Sequence, residues 1–211
     1  MIEFNALAGR YRDAKTKRFI SWSQVERVAR QETSRTEKKL AGLYRDYQSG
    51  NLDQYQFESQ FQQTLKESYI VQSALGKGGI EQLNKSDYGK LGNLLKEQYA
   101  RVERMSEGIR TGEISEKQVQ QRIRGYSQGT LGGFYSTHTD LRELLGYEGM
   151  RFLNPFAKHC ASCIRHQTDG YVDAKEIIPI GTQCECRLNC RCGIKWRKKV
   201  LNPKLTDLIG A

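Results

Sequence analysis

Proline and cysteine are missing from most of this 211-residue chain. All three prolines (Pro155, Pro179, Pro203) lie beyond residue 154, and all six cysteines fall between 160 and 192. The first 154 residues therefore lack the residue that costs a helix interior ~3 kcal/mol. Long apolar runs are lacking too. The longest are a few residues, such as Ile177-Ile178, far short of the ~20 needed to span a bilayer. Residues 1–10 hold no apolar stretch of signal-peptide type, so the chain reads as made and kept in a cytosol. Its cysteines are then expected to be reduced rather than paired in disulfides. Histidine is scarce as well, at three residues, too few for most His-dependent nuclease sites. No H-E-x-x-H occurs, and Gly76-Lys-Gly-Gly79 lacks the frame of a phosphate loop.

Apolar content is low, at 37% with a mean hydropathy of −0.70. This suits slim helices that complete their burial against a neighbour better than one thick core. Charge is abundant and unevenly placed. The net charge of +10 divides into +4 over residues 1–30, 0 over 31–150, +1 over 151–180 and +5 over 181–211. The basicity belongs to the two ends. Composition changes near residue 150, which marks a module boundary.

Between 23 and 149 the pattern predicts antiparallel helices joined by short glycine turns. Ser23 and Glu26 have capping-box spacing. A helix carrying Val25, Val28, Ala29, Leu40, Leu43, Tyr44 and Tyr47 follows and stops at Ser49-Gly50. A second starts at Asp53 with the stripe Tyr55, Phe57, Phe61, Leu65 and Tyr69, and breaks at a flexible loop, Gly76 to Gly79. A third starts near Ser86 or Asp87 and carries Tyr88, Leu91, Leu95, Val102, Met105 and Ile109. A fourth begins at Ser115, with Gln118 at capping-box spacing, and runs to a break over Gly129 to Gly133. A further turn or two is expected between Thr137 and Leu145. The segments from Gly50 and Gly112 echo each other 62 residues apart, which reads as one loop-to-helix start signal used twice.

The strongest chemical signal lies in 150–198. Cys160-Ala-Ser-Cys163 is a C-x2-C knuckle, followed by Cys184-Glu-Cys186-Arg-Leu-Asn-Cys190-Arg-Cys192. A C-x2-C turn places two sulfurs on one tetrahedral Zn²⁺, and a second close group must supply two more. Cys186 with Cys190, and Cys190 with Cys192, both qualify. Zinc takes four ligands from Cys160, Cys163, Cys186, Cys190 and Cys192, with Cys184, His159 and His166 as alternates. A two-metal, six-thiolate cluster fits this spacing less well. Free buried thiols and disulfides are the competing readings. A segment of this size with few large apolar side chains cannot build a sufficient core alone, so a structural zinc would supply folding energy. Gly193 to Arg197 alternates like a strand, with Ile194 and Trp196 on one face. Cys163 and His166, three apart, have the spacing of a thiolate–imidazole pair. Metal ligation explains Cys163 better, and a zinc-ribbon nuclease or DNA-processing enzyme is the minor reading.

These residues resemble a family. Cys160-x2-Cys163, Asp169-Gly170-Tyr171, Pro179-Ile-Gly181, Cys186 and Asn189-Cys-Arg-Cys192 look like the C-terminal signature of tailed-phage head morphogenesis proteins, or minor head proteins. Gly9 to Ser21 (GRYRDAKTKRFIS) is similar to the opening of stand-alone phage versions. The extra Cys184, and a Cys at 186 where many relatives have His, depart from the pattern and leave the ligand set open. The resemblance implies a non-enzymatic role in virion assembly, with a few copies at the portal or inner capsid, assembled in the bacterial host cytoplasm.

The expected architecture is mainly α: a basic aromatic N-terminal arm (1–22), an antiparallel helical body (23–149), a small zinc-stabilised α+β module (150–198) and a tail (199–211). In the arm, Arg10, Arg12, Lys15, Lys17 and Arg18 interleave with Tyr11, Phe19 and Trp22, which suits a nucleic-acid backbone with ring stacking, or an acidic protein groove; the competing reading is a solvated arm that docks Tyr11, Phe19 and Trp22 on its own helices. Arg187, Arg191, Lys195, Arg197, Lys198 and Lys199 form the second basic group. Such charge gives attraction without sequence reading. The expected partners are portal or capsid proteins, with non-specific DNA contact at the ends, no membrane, and oligomers only within the particle. The alternatives are a zinc-stabilised nucleic-acid-binding factor and a neck, tail or capsid-associated structural protein.

Overall fold

The computed structural model describes residues 2–180, 184–186 and 190–199. Five long helices make the body: α1 (Trp22–Gln48), α2 (Gln54–Lys77), α3 (Lys85–Arg110), α4 (Glu116–Gly129) and α5 (Leu131–Leu144). A hairpin of β1 (Ile2–Asn5) and β2 (Arg10–Asp13) precedes them. After them, β3 (Tyr147–Phe152) is the centre of an antiparallel sheet, flanked by β4 (Val172–Asp173) and β5 (Gly193–Lys198). The short helix α6 (Ala161–Thr168) lies between β3 and β4. No helix among the described residues is long and apolar enough to cross a membrane.

Helix starts follow side-chain chemistry closely. Asp53, Asn84 and Ser115 each accept from the N3 backbone amide, while Gln56, Asp87 and Gln118 reach back to the cap. The reciprocal pair satisfies two amides that would otherwise be orphaned. The first helix starts two residues earlier than expected. Its box is Ser21 with Gln24, whose Oε1 accepts from the Ser21 amide at 2.7 Å. Ser23 lies in the first turn, and Glu26 instead pairs with Arg30 and the Tyr135 hydroxyl. Gly50 and Gly112, the two ends of the echo, both adopt the left-handed conformation just ahead of a helix start.

The packing is antiparallel. Val25 and Ala29 from the start of α1 share a core with Leu75 from the end of α2, while Leu40 and Tyr44 from the end of α1 meet Phe57 and Phe61 from the start of α2. Met105 and Val119 complete that second cluster, and Tyr69, Leu91 and Leu95 make a third. Tyr55, Tyr88 and Val28, predicted on the apolar stripes, are exposed instead.

Both predicted glycine breaks end a helix, α2 at Lys77 and α4 at Gly129, but Gly76 and Gly133 within them are also packing sites. Gly76 is inside α2, where any Cβ would overlap the Phe134 carbonyl oxygen; Gly78, in left-handed conformation, is the cap that ends the helix. Gly132 and Gly133 lie inside α5, which runs unbroken from Leu131 where only a turn or two was expected. A Cβ on Gly133 would sit 2.9 Å from Ser73 Oγ, so α2 and α5 approach closely because both present glycine.

At the N-terminus, docking on the protein's own helices is the reading seen for Tyr11 and Trp22, while Phe19 stays exposed. Instead of an open arm, the described part of residues 1–22 folds back as a docked hairpin. Tyr11 is 2% exposed, and its hydroxyl donates to Gly76 O at 2.6 Å. His138 Nδ1 lies 2.7 Å from the same hydroxyl, so the ring donates from Nδ1, and its Nε2 accepts from Arg142 Nε at 3.5 Å. Trp22 stacks on His138 at 4.1 Å and Trp196 meets the ring edge-on at 5.7 Å. Hairpin, α1, α5 and β5 all meet at this imidazole.

Burial, with the Arg142 guanidinium beside it, holds His138 far below the ordinary imidazole range. The native ring stays neutral while an unfolded histidine takes a proton below about pH 6.5. The unfolded state then binds more protons, so stability falls as pH drops through that value. Denaturant titrations at pH 7.5 and 5.5 should show about 1.4 kcal/mol of loss in the wild type that His138→Gln does not share. An equal pH dependence in both would assign the loss to other groups.

Candidate metal centre

Local structure brings the cysteines together in two steps. Cys160 is the N-cap of α6 and Cys163 lies in its first turn, which puts both sulfurs at one end of the helix. The chain after β4 then returns Cys184 and Cys186, and next Cys190 and Cys192 on the approach to β5. Cys163, Cys184, Cys190 and Cys192 are buried, and Cys160 and Cys186 are half-buried. All six are free thiols.

The sulfurs touch without bonding. Cys163 Sγ lies 3.6 Å from Cys186 Sγ and 3.7 Å from Cys190 Sγ; Cys186 Sγ lies 3.7 Å from Cys184 Sγ. Ligands ~2.3 Å from a tetrahedral zinc stand about 3.8 Å apart along each edge. The separations therefore match the edges of a metal-thiolate tetrahedron, and they far exceed the ~2.05 Å of a disulfide. Cys163, Cys184, Cys186 and Cys190 form a group whose sulfurs all lie within 4.8 Å of one another, compatible with a metal ion.

This group differs from the expected set at three places. Cys184, expected only as an alternate, is inside it. Cys160 and Cys192 flank it. Cys160 Sγ sits 3.4 Å from Cys186 Sγ and 3.5 Å from Ser162 Oγ, while Cys192 Sγ faces His159 Nδ1 at 3.5 Å. Sequence spacing could not separate these choices, because sulfurs two and four residues apart in an irregular segment reach the same point. His166 stands apart from the sulfurs and faces Asp169 at 3.6 Å.

Burial and hydrogen bonding set the thiols apart from one another. Burial pushes the Cys163 and Cys186 thiols well above the ordinary range, and neighbouring sulfurs add to the effect. Without a cation these stay protonated and inert. At Cys160 burial acts upward, but bonds from the Ser162 hydroxyl, the Cys163 amide and Cys186 outweigh it and bring the thiol down to about 6. A soft divalent cation displaces such protons and satisfies the crowded sulfurs.

The predicted basic residues divide into paired and outward-facing groups. Glu3 takes both Arg12 and Lys17, at 3.0 Å for the lysine. Glu148 takes Arg197 at 2.9 Å, and Asp173 takes Lys199. Arg10 lies over Phe19 and Lys195 over Phe152. Lys15, Arg18, Arg191 and Lys198 are exposed and carry no ion pair among the described residues. Arg187 lies outside the described residues, as do Gly181, Asn189 and all of the predicted tail except Lys199.

The sequence reading passed over two features of this region. A cleft of about 410 Å³ opens between the start of α1, α5 and β5, lined by Trp22, Arg30, His138, Arg191, Lys195 and Trp196. Arg151, in β3, is 1% exposed. Nothing in its sequence context marks it, since a lone arginine in a strand is usually solvated.

No protein-family model, no curated protein and no solved structure matches this chain.

Elemental analysis of protein purified under reducing conditions should find about one zinc per chain. Metal-free protein with intact disulfides would overturn the metal reading. Cys163→Ser, at the centre of the cluster, should release the metal and disorder the cysteine segment. Cys160→Ser should do so more weakly, leaving helical circular dichroism largely intact. Equal metal retention in both variants would place the site elsewhere.

Proposed function

We propose that this chain is a structural protein of a tailed-phage particle, a minor head protein that seats on the portal or inner capsid surface. Zinc is its structural staple, and it performs no chemistry of its own. The observation that carries this reading is the cysteine cluster. The C-x2-C knuckle and the Cys-x-Cys segments, which bear the resemblance to phage head morphogenesis proteins, close on one another against a helical body. That arrangement is what a metal-stapled assembly module requires, since its small apolar supply is completed by a metal and by neighbouring helices.

The outward cations support contact with an acidic partner. Arg10, Lys15, Arg18, Arg191, Lys195 and Lys198 remain after the internal pairs are made. An acidic portal or capsid surface fits this modest charge better than an extended DNA track. Non-specific DNA contact near the packaged genome is the second reading, favoured by the same residues. The chain would oligomerise only through the particle.

Mass spectrometry of intact particles, with copy number, tests the reading. A dozen copies or fewer is expected for a portal-proximal protein, by symmetry. Absence from particles, together with retardation of DNA by the isolated chain, would replace it with the nucleic-acid-binding factor. The DNA contact is checked by salt titration, in which affinity should fall steeply between low and physiological salt.

A further inference from the structure

Arg151 is an anomaly by ordinary burial rules. Among the described residues it is the largest side chain almost completely sealed from solvent. Its Nη2 donates to the Ile178 carbonyl at 2.5 Å, but its Nε and Nη1 are buried with no hydrogen-bond partner. No carboxylate is paired with it among the described residues. The acids nearest to it in the sheet are already taken, Glu148 by Arg197 and Asp173 by Lys199. A guanidinium does not escape such a position by losing its proton. A buried cation with unused donors persists only where an anion offsets it.

The group beside it that can become anionic is the cysteine cluster. In register, Arg151 lies opposite Ile194, two residues beyond Cys192, and Ile194 packs against the buried group that holds Cys163, Cys184, Cys190 and Cys192. Six neutral thiols, or three disulfides, would give that charge nothing to balance. A divalent ion bound by four thiolates carries a net charge of −2 by formal count, which a buried cation reduces.

We propose that Arg151 is the counter-cation of the cysteine metal centre, a positioning residue that stabilises the anionic metal-thiolate form from the Cys190–Cys192 side. The inference rests on the metal reading above and adds to it. It specifies the charge of the centre and names a residue outside the ligand set that sets its affinity. It also explains why an arginine stands at a strand position where an apolar residue would be the economical choice. Partners of this kind around metal ligands typically change affinity by 10–100-fold.

Chelator competition with zinc, on the full reduced chain, measures the effect. Arg151→Met fills a similar volume without charge and should weaken zinc about 10–100-fold. Arg151→Lys keeps the charge and should recover a substantial part of that loss. Equal affinity in wild type and Arg151→Met would overturn the proposal while leaving the metal site intact. Arg151→Lys no better than Arg151→Met would also overturn it, since packing rather than charge would then be at issue. A wild type that binds no zinc is a different result and overturns the metal reading itself. Should Arg151→Met fail to fold, the wild type alone decides. The side-chain Nε–H resonance of Arg151 should shift and exchange more slowly with solvent when zinc is added, and an unchanged resonance would reject the counter-cation role.

Discussion

Six sulfur atoms held in mutual contact and largely out of water impose the strictest condition on this structure. Protonated, they are weak hydrogen-bonding groups held against one another at van der Waals contact with no strong partner. Ionised without a cation, they would be a concentrated buried charge. A soft divalent ion meets both difficulties at once, and the spacing of the sulfurs along tetrahedral edges suits it. The surrounding elements follow from this condition. The helix α6 exists to present two sulfurs from one end, and β5 begins where the last cysteine leaves the cluster. The sheet that joins β3 to β5 brings Arg151 alongside Cys190 and Cys192.

The cysteine segment is not walled off from the helices. Cys163, Cys184, Cys190 and Cys192 share one apolar cluster with Val25, Ala29, Phe134 and the hairpin residue Tyr11. Composition marked a boundary near residue 150, and the chain does change character there. Burial nevertheless continues across it. The reason is supply: a three-stranded sheet with a two-residue edge strand and an eight-residue helix has too little apolar surface to seal a centre by itself. It borrows the ends of α1 and α5, and the hairpin closes the remaining side. His138 is where these loans meet, with rings from three other elements around it and its nitrogens fully used.

What the sequence made legible was local and repetitive. Cap residues with a Gln three positions on marked the starts at Asp53 and Ser115, because the signal and the hydrogen bond are the same object, whereas the third helix, expected from Ser86 or Asp87, is capped earlier by Asn84 with Asp87 reaching back. The helical stripes gave most of the core. Ser21 and Ser23 were harder to separate, as both precede a helical run and only one can have its amide reached by the residue three ahead. The helix ends at Lys77 and Gly129 were legible in their glycines, but the packing roles of Gly76 and Gly133 were not, for a physical reason. A glycine in a helix looks like a break until the neighbour that needs its missing Cβ is known, and that neighbour is more than fifty residues away. The same holds for Tyr11, whose partner atoms are on Gly76 and His138, and for Arg151, whose partner is a cluster rather than a residue. Cys184 was undervalued because pair spacing is a one-dimensional rule applied to an irregular loop.

The net charge also changes meaning once it is placed. At the N-terminal end, Glu3 neutralises much of what Arg12 and Lys17 contribute, so the hairpin is less cationic than its sequence. At the C-terminal end, Arg197 and Lys199 are tied to acids of the neighbouring strands. Side chains held in ion pairs are already neutralised, so a partner that uses them must first displace an acid. Among the predicted basic residues, Lys15, Arg18, Arg191 and Lys198 face outward with no ion pair among the described residues. The proposed contact with an acidic protein at fixed points asks less of them than tracking a phosphate backbone, which needs many adjacent charges to release counter-ions together.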